Sequence, residues 1–366
     1  MDDLLALSQR LIAYDTSRPE GIHEAAGFIK GWLEARGIDA KQDECRGLPI
    51  ITAEVGDPSD PAVVLHGHFD VVPADPGQFS PRVEGDRLIG RGAYDMKAAL
   101  AAMMLALPVP GSAPEDLRVV LGIVSDEESE EDKNRGSDHL VDSGLSGDFA
   151  ITGEPTDLNI GVAAKGVLAL RIGVAGRAAH GSTPWLGDNA VLRAVDMFRG
   201  LESLPFARES SELFDRPSIN LGRISGGDAI NKVPDYCSID VDIRYLPHQD
   251  PEEILEQIRG LEPAGMESIF ALPPIDGGLE SPWVSALMEA ADHHHDGTSV
   301  SVGRDGASDA LSFIRVGIPA VEFGPVGAGH HGPEEWVSIS SLGSYLATLR
   351  EFLEMGASLA GSPSDD

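Results

Sequence analysis

The sequence predicts an α/β protein in which a mostly parallel sheet with helices on both faces is interrupted by a smaller α+β domain. Three observations support this fold class. Short, continuous apolar segments alternate with amphipathic helical segments in the first part of the chain, as is typical of buried strands and the helices that connect them. This pattern changes near residue 163 and returns near residue 278. With 366 residues, the chain is long enough for two domains.

The first part of the chain contains most of the elements of the larger predicted domain. Apolar residues recur at helical spacing over residues 4–36, and Pro19 predicts a break between two helices. Further elements are predicted from their apolar runs: strands over 50–55, 62–65 and 117–124, and a helix over 95–107. Because strands joined through helices usually run parallel, we expect a mostly parallel sheet.

An inserted domain is predicted over residues 163–277, so that residues 1–162 and 278–366 together form the larger domain. The predicted elements of the insert are strand 166–174, helix 189–204, strands 218–224 and 236–245, helix 251–259 and strand 268–272. This β-α-β-β-α-β order is that of a ferredoxin-like α+β sandwich. Three elements predicted after the insert complete the larger domain: helix 282–294, strand 319–323 and helix 341–355.

The composition is strongly acidic, since 27 Lys and Arg against 60 Asp and Glu give a formal net charge of −33. Such a surface repels phosphate backbones and anionic lipids, so we expect neither nucleic-acid binding nor membrane binding. It also fits a salt-adapted protein, which is a hypothesis about habitat. No basic segment precedes an apolar one at the start, and two cysteines are too few for a disulfide framework. We therefore predict a cytoplasmic protein without a signal peptide.

Residues with metal-binding side chains follow the ends of several predicted strands, where open α/β sheets place their sites. Five segments carry them: His66–Asp70, Gly90–Lys97, Ser125–Glu128, Gly153–Thr156 and His330–Trp336. Imidazole and carboxylate are the ligands of Zn²⁺ and similar divalent ions. Each segment alone is a weak signal; Glu127 and Glu128, for example, could begin a solvated acidic loop that continues to Asp132. Together they supply the imidazoles and carboxylates that a two-ion site needs.

In this order, the five segments resemble the motifs of the M20 family of metallohydrolases, which includes acetylornithine deacetylase, succinyl-diaminopimelate desuccinylase, aminoacylase and the glutamate-releasing carboxypeptidases. The resemblance extends over nearly the whole chain. It implies two bound divalent metal ions, with Zn²⁺ expected and Co²⁺ or Mn²⁺ as alternatives. The implied ligands are His68, Asp95, Glu128, Glu154 and His331. Asp95 would bridge the ions, with His68 and Glu154 completing one site and Glu128 and His331 the other.

Two further residues of these motifs are implied to take part in catalysis. Glu127 would act as the general base, which takes a proton from water and passes it to the leaving amine. Asp70 would orient the imidazole of His68, because it can accept from the ring nitrogen that does not bind metal.

Other histidines in the sequence are interpreted differently. His66 is not chosen as a ligand, because an Asp stands at the family's offset from His68. His330 is not chosen, because a Pro and a Glu stand at the family's offsets from His331. The run of histidines at 293–295 is interpreted as an exposed helix end rather than a metal site.

The inserted domain resembles the lid of the family through the segment Ala178–Pro184. In dimeric relatives the histidine of that segment reaches the partner subunit's site and steadies the tetrahedral oxyanion, which here implies His180. A homodimer through the inserted domain is therefore expected. Asn231 and Arg244 match lid positions that hold substrate, and an Arg suits a bidentate grip on a carboxylate; a turn Asn and a surface Arg are the alternatives. The segment Gly303–Asp309 resembles a substrate-side loop of the desuccinylase and deacetylase branch.

The function that these resemblances imply is hydrolysis of an amide bond in a small molecule. The expected enzyme is a metal-dependent deacylase of an N-acyl amino acid or N-acyl diamino acid, of the acetylornithine deacetylase or succinyl-diaminopimelate desuccinylase type. The alternative is a metallopeptidase of the same family that cleaves a dipeptide or removes a C-terminal residue. A third possibility is a non-catalytic relative that only binds ligands. The motifs leave the acyl group, the amino acid and the native metal open.

Overall fold

The structure, a computed structural model, describes residues 1–112, 114, 116–128, 135–276, 281–295, 299–304, 306 and 308–360. The chain divides into two compact units. The first comprises Met1–Val162, Gly277–Val302 and Ser308–Asp366, and the second comprises Ala163–Asp276 and Gly303–Ala307. Our prediction is that residues 1–162 and 278–366 form the metal-binding catalytic domain and that residues 163–277 form the lid or dimerisation domain. The acidic loop up to Asp132, and residues 305 and 307 of the substrate-side loop, lie outside the described residues.

The helices and strands have the following bounds. The helices are α1 (Asp2–Ile12), α2 (Pro19–Glu34), α3 (Lys97–Ala106), α4 (Gly136–Asp142), α5 (Ala190–Leu201), α6 (Pro251–Arg259), α7 (Pro282–His294), α8 (Ala310–Ile314) and α9 (Ile339–Ala360). The strands are β1 (Ala40–Cys45), β2 (Leu48–Val55), β3 (Ala62–His68), β4 (Arg82–Glu84), β5 (Arg87–Ile89), β6 (Arg118–Val124), β7 (Phe149–Thr152), β8 (Ile160–Ala164), β9 (Gly166–Ala175), β10 (Ser218–Gly226), β11 (Tyr236–Tyr245), β12 (Gly265–Leu272), β13 (Ile275–Asp276), β14 (Ser301–Arg304), β15 (Ala320–Phe323), β16 (Gly327–Ala328) and β17 (Trp336–Ser338).

The large sheet, most of which lies in the first unit, has the strand order β1-β2-β6-β3-β7-β15-β8. Its four central strands, β6, β3, β7 and β15, run parallel. The prediction of parallel pairing is thus confirmed for the centre of the sheet, whereas the flanking strands pair antiparallel. The β1–β2 pair is antiparallel because a two-residue turn joins the strands, with positive φ at Arg46 and Gly47. Every residue of β3 is buried, as its continuous apolar run predicts.

The helices predicted for the first unit are present, whereas α4 and α8 have no counterpart in the prediction. The predicted break at Pro19 is confirmed, because α1 ends at Ile12 and α2 begins at Pro19, where a proline suits the first turn. Helix α3 is buried along its whole length and contacts α1 and α9. It begins at Lys97 rather than at Asp95 as predicted. Among the described residues, no helix combines the length and the apolar composition that a membrane span requires.

A small antiparallel sheet, in the order β16-β17-β5-β4, was not predicted from the sequence. Its strands are only two or three residues long, so periodicity gives no signal for them. Strand β5 pairs with β17, with Ile89 opposite Trp336. This pairing places the segment after β5 beside the segment before β17, although they are far apart in the chain.

The second unit shows the predicted β-α-β-β-α-β succession: β9, α5, β10, β11, α6 and β12. Its sheet has the order β10-β11-β9-β12, with antiparallel neighbours throughout. Along β11, buried residues alternate with partly exposed ones, as expected for a sheet with one face against helices. The core of this unit combines residues of the sheet, such as Ile172 and Ile239, with Ala194 of α5 and Ile258 of α6.

Candidate metal centre

Three parallel strands end at the same edge of the large sheet and place metal-binding side chains there. Strand β3 ends at His68, β6 is followed by Glu127 and Glu128, and β7 is followed by Glu154. Because β3 pairs in parallel with both β6 and β7, these residues leave the sheet side by side. This edge is where open α/β sheets place their sites.

His68, Asp95 and Glu154 form one group of potential metal ligands, whose donor atoms all lie within 4.8 Å of one another. The Nε2 atom of His68 lies 3.1 Å from Asp95 Oδ1 and 3.8 Å from Glu154 Oε1. His68 and Asp95 are buried, and the Glu154 side chain is only 15% exposed. One imidazole and two carboxylates converge here, as a divalent ion requires.

The other ring nitrogen of His68 faces Asp70. The Nδ1 atom lies 3.1 Å from the main-chain oxygen of Asp70 and 3.4 Å from its Oδ1. This contact leaves Nε2 directed at the other ligands, as expected for a histidine oriented by a neighbouring acceptor. Asp70 Oδ2 also accepts a hydrogen bond from the main-chain N–H of Glu128, at 2.8 Å. Asp70 therefore contacts two of the predicted ligands.

Asp95, His330 and His331 form a second group of potential ligands. The Nε2 atom of His331 lies 3.5 Å from Asp95 Oδ2 and 2.9 Å from Glu128 Oε1. The Nε2 atom of His330 lies 2.5 Å from the same Asp95 oxygen. His331 has a φ of 57°, in the left-handed region that few non-glycine residues adopt. Both imidazoles thus meet Asp95, including the one that the sequence interpretation set aside.

Asp95 and His331 come together through the small sheet. Asp95 follows β5, His331 precedes β17, and these strands pair antiparallel. The turn before Asp95 is tight: Gly92 has a φ of 80°, and a Cβ there would lie 2.9 Å from side-chain atoms of both Lys97 and Val71. Only glycine fits this backbone without strain.

Glu127 lies beside the ligands and is held by a cation. Arg135 Nη1 lies 3.4 Å from Glu127 Oε1 and 3.2 Å from Asp309 Oδ1. Burial raises the pKa of Glu127 to about 8; the charges of Asp309 and Asp95 act in the same direction, while His68 and Arg135 oppose them. Divalent cations bound at the neighbouring ligands would oppose this shift and favour the ionised carboxylate, which is the form that can accept a proton.

The electrostatics of the site fit divalent cations. Burial, and after it the charge of Asp95, raises the pKa of Glu128 and raises that of Glu154 well above its ordinary value. Burial also acts to raise the pKa of Asp95, but hydrogen bonds from three histidines hold it well below its ordinary value: His330, His331 and His68. Several carboxylates therefore share a poorly hydrated site, where their negative charges repel one another. Bound divalent cations would offset this repulsion. Imidazole with carboxylate is a donor set for Zn²⁺ and related ions.

The second unit contains the three residues predicted for the lid. His180 and Asn231 lie on adjacent segments, because His180 forms a β-bridge with Lys232 and the N–H of Gly181 donates to the Asn231 carbonyl at 2.7 Å. The His180 side chain is exposed, and its Nδ1 lies 2.8 Å from Ser182 Oγ. Arg244 lies elsewhere, on β11.

The guanidinium of Arg244 forms a two-bonded pair with Asp242 of the same strand. Its Nε donates to Asp242 Oδ1 at 2.9 Å, and its Nη2 donates to Oδ2 at 3.0 Å. The fork that would hold a substrate carboxylate is thus occupied by a carboxylate of the protein.

Sequence reasoning missed several residues that contact the predicted site. Arg135 belongs to no motif and gave no signal. Asp309 closes the segment that resembles a substrate-side loop, but no role was assigned to it. Arg91 and Glu335 lie within two of the motifs, where Glu335 served only to mark the offset from His331.

Comparison with known proteins identifies a family model and similar proteins that match this chain. A family model described as peptidase family M20/M25/M40 matches residues 64–355. A putative succinyl-diaminopimelate desuccinylase of Mycobacterium tuberculosis is 32% identical over 302 residues, which cover 80% of this chain and 82% of that protein. A probable carboxypeptidase of Arthroderma gypseum is 29% identical over 277 residues, which cover 69% of this chain and 59% of that protein.

A solved structure shows the same fold. The crystal structure of aminopeptidase PepT from Bacillus cereus has a TM-score of 0.78, with 20% identity, and covers 96% of this chain and 98% of that one. The family model matches well over half of the chain, in agreement with the motifs and with the ligand groups at the sheet edge. The chain therefore belongs to peptidase family M20/M25/M40 and is a metal-dependent hydrolase of that family.

Proposed function

We propose that this chain is a two-metal hydrolase that removes the acyl group from an N-acyl amino acid or N-acyl diamino acid, as acetylornithine deacetylase or succinyl-diaminopimelate desuccinylase does. The observation that supports this most directly is the pair of ligand groups that share Asp95. We assign His68, Asp95 and Glu154 to one ion, and Asp95, Glu128 and His331 to the other. Zn²⁺ is the proposed metal, with Co²⁺ or Mn²⁺ as alternatives.

The protein residues have distinct roles in this proposal. Divalent ions bound here would polarise an amide carbonyl and lower the pKa of water. Glu127 accepts a proton from the attacking water and delivers it to the leaving amine. Asp70 holds the His68 imidazole in the orientation that directs Nε2 at the ligands. Asp95 would contribute to both ion positions, because its Oδ1 lies beside His68 and its Oδ2 beside His331.

The substrate-side roles in the second unit are also proposals. We assign His180 to stabilisation of the tetrahedral oxyanion, and Asn231 and Arg244 to substrate binding. The adjacency of the His180 and Asn231 segments supports a joint role. For Arg244, a substrate carboxylate would replace Asp242 in a fork that already has the right geometry.

A metallopeptidase is the alternative function, and the similarity to a probable carboxypeptidase favours it. The two functions use the same metal centre and differ in the group on the acyl side of the bond. A panel of N-acetyl amino acids, N-succinyl diamino acids and dipeptides, assayed with added Zn²⁺, Co²⁺ or Mn²⁺, separates them. We expect the highest kcat/KM on an N-acyl compound. A higher value on dipeptides would establish the peptidase, and no cleavage by metal-loaded protein would indicate a ligand-binding relative.

We also propose a homodimer through the second unit. Strand β10 lies at the edge of its sheet, and helix α5 packs beside it. Leu192 on α5 is 64% exposed and Ile224 on β10 is 42% exposed. An open strand edge and exposed apolar side chains favour association with a second copy. Light scattering of the protein and of the Leu192→Asp variant tests this.

The remaining proposals concern location and partners. The net charge of −33 supports a cytoplasmic, salt-adapted protein that acts on small molecules and does not bind nucleic acid. Electrophoretic mobility shift with duplex DNA, and activity as a function of salt, are the measurements that test these points.

A further inference from the structure

A buried ion pair joins the segment that carries Asp95 to the segment that carries His331. Arg91 Nη1 lies 2.6 Å from Glu335 Oε2, and their side chains are 4% and 1% exposed. The Glu335 carboxylate has further donors, all of them main-chain N–H groups of the segment that leads to Asp95. Oε2 accepts from Gly92 at 3.1 Å, and Oε1 accepts from Tyr94 at 2.9 Å and from Asp95 itself at 3.1 Å.

The second terminal nitrogen of Arg91, Nη2, bonds to the segment that carries His331. This nitrogen donates to the carbonyl of His331 at 2.9 Å and to the carbonyl of Gly332 at 3.1 Å. The pair therefore binds the main chain of Asp95 through Glu335 and the main chain of His331 through Arg91. The potential metal-binding atoms of these two residues, Asp95 Oδ2 and His331 Nε2, lie 3.5 Å apart.

A buried ion pair adds little to the free energy of folding, because desolvation of both charges offsets much of their attraction. Its more dependable effect is to fix the positions of the groups that it bonds. Here the Glu335 carboxylate accepts four hydrogen bonds, and the two Nη atoms of Arg91 donate three. Arg91 Nε is buried and has no hydrogen-bond partner among the described residues. Charge-assisted, forked hydrogen bonds hold their partners more rigidly than neutral single ones. The pair thus defines the relative position of two loops that contact through very short strands.

In the other ligand group, which also contains Asp95, the remaining two ligands are held in a different way. His68 and Glu154 stand at or just after the ends of β3 and β7, which are joined by parallel pairing in the centre of the large sheet. Their positions do not depend on the Arg91 fork. A defect in the fork should therefore affect one metal position more than the other.

We propose that Arg91 and Glu335 are positioning residues that set the spacing between Asp95 and His331, and so determine the affinity of the metal position formed by Asp95, Glu128 and His331. The inference rests on the two-metal function proposed above. It makes different predictions for the two partners. Loss of the Arg91 fork should lower the metal affinity only at the position formed by Asp95, Glu128 and His331. Loss of the Glu335 charge should displace Asp95, and so lower the metal affinity at both positions.

The test titrates metal-free enzyme with Zn²⁺ calorimetrically and with Co²⁺ by visible absorption. In Arg91→Lys, the ammonium can still contact Glu335 but cannot fork onto two carbonyls. We expect one of the two affinities to fall about 10–100-fold, with the other nearly unchanged and with an altered Co²⁺ spectrum. In Glu335→Gln, both affinities should fall. At limiting metal, Arg91→Lys should lose kcat more than it raises KM.

Arg118→Lys is the matched control, because Arg118 is also largely buried and pairs with Glu54 away from the site. It should bind both metals as the wild type does. The proposal would be overturned if Arg91→Lys bound both metals with wild-type affinity. It would also be overturned if the variant bound both metals more weakly by the same factor.

A measurement on the wild type covers the case in which the variants do not fold. Hydrogen exchange of metal-free protein should show protected amides at Tyr94 and Asp95, because Glu335 accepts from both. Rapid exchange of these amides would overturn the proposal. The outcomes are distinguishable from failure of the proposed function: wild-type protein that binds two metals but cleaves no amide contradicts the function and leaves the titration test intact.

Discussion

The imidazole of His330 lies 2.5 Å from Asp95, measured from Nε2 to Oδ2. The same carboxylate oxygen lies 3.5 Å from Nε2 of His331, whose position relative to Glu128 fits a shared ion. One lone pair of Asp95 Oδ2 can bind metal while the other accepts from His330. These distances are consistent with our proposal that His331 is the ligand and that His330 donates to Asp95 and orients it.

The first prediction separates these two histidines. His331→Ala should lose one of two bound metals, because a ligand is removed. His330→Ala should retain both but bind them about 10–100-fold more weakly, because only the orientation of Asp95 is affected. Metal analysis and titration measure this, with the exposed His23→Ala as control. Loss of a metal in His330→Ala alone would reverse the assignment.

The second prediction concerns the general base. Glu127→Gln should keep both metals, because Glu127 is assigned to neither ligand group, and should lose kcat by about 10²–10⁴-fold. Steady-state kinetics together with metal analysis measure both effects. The exposed Glu20→Gln serves as a control with unchanged kinetics. Near-normal turnover in Glu127→Gln would contradict the assignment.

The third prediction concerns the bridging carboxylate. Asp95→Ala should reduce the bound metal at both positions as well as the rate, because each ligand group contains Asp95. Elemental analysis after gel filtration measures the metal content, and Asp57→Ala, at an exposed turn, is the control. An unchanged metal content would show that Asp95 does not bridge.

The fourth prediction concerns a shared site in the proposed dimer. His180→Ala and Glu127→Gln homodimers should both be inactive, but after mixing and subunit exchange a heterodimer would contain one complete site. Random exchange should then restore about one quarter of wild-type activity. Activity after mixing, with each variant alone as control, measures this. No recovery despite proven exchange would mean that His180 does not act across subunits.

The fifth prediction is a pH effect far from the metal centre. His293 and His294 end α7, and both bond to Glu351 of α9, His293 through Nδ1 at 2.6 Å. The hydrogen bond and charge of Glu351 raise the pKa of His293 above its ordinary 6.5. The hydrogen bond from His293 lowers the pKa of Glu351 below its ordinary 4.5.

The sign of the effect follows from linkage. The His293 contribution is complete below the unfolded pKa of about 6.5 and is lost as pH rises through the higher folded pKa. The Glu351 contribution is complete above about 4.5 and is lost as pH falls through its lower folded pKa. The urea midpoint of His293→Gln should therefore lie slightly below that of the wild type near pH 6 and match it near pH 9. A difference that grows towards pH 9 would contradict this.

The sequence by itself determined most of the longer helices and strands and the set of predicted metal ligands. Periodicity and proline position are local properties, so the break at Pro19 and the bounds of α6, α7 and β11 could be predicted. The polar residues after buried strands could be predicted to meet, because parallel strands end at one edge. The motif order also sufficed to imply the family that the comparison shows.

Only the tertiary structure decided how these residues contact one another. The bond between the Asp95 amide and Glu335 joins residues 240 positions apart, and the strands that bring them together are too short to give a periodic signal. The contact of His330 with Asp95 likewise joins distant segments. Arg135 and Glu127 are eight positions apart and Arg244 and Asp242 are two apart, and these contacts are decided by the loop path and by side-chain conformation. Such contacts depend on the backbone path and on long-range pairing, whereas a sequence pattern reports only the chemistry and local spacing of its residues.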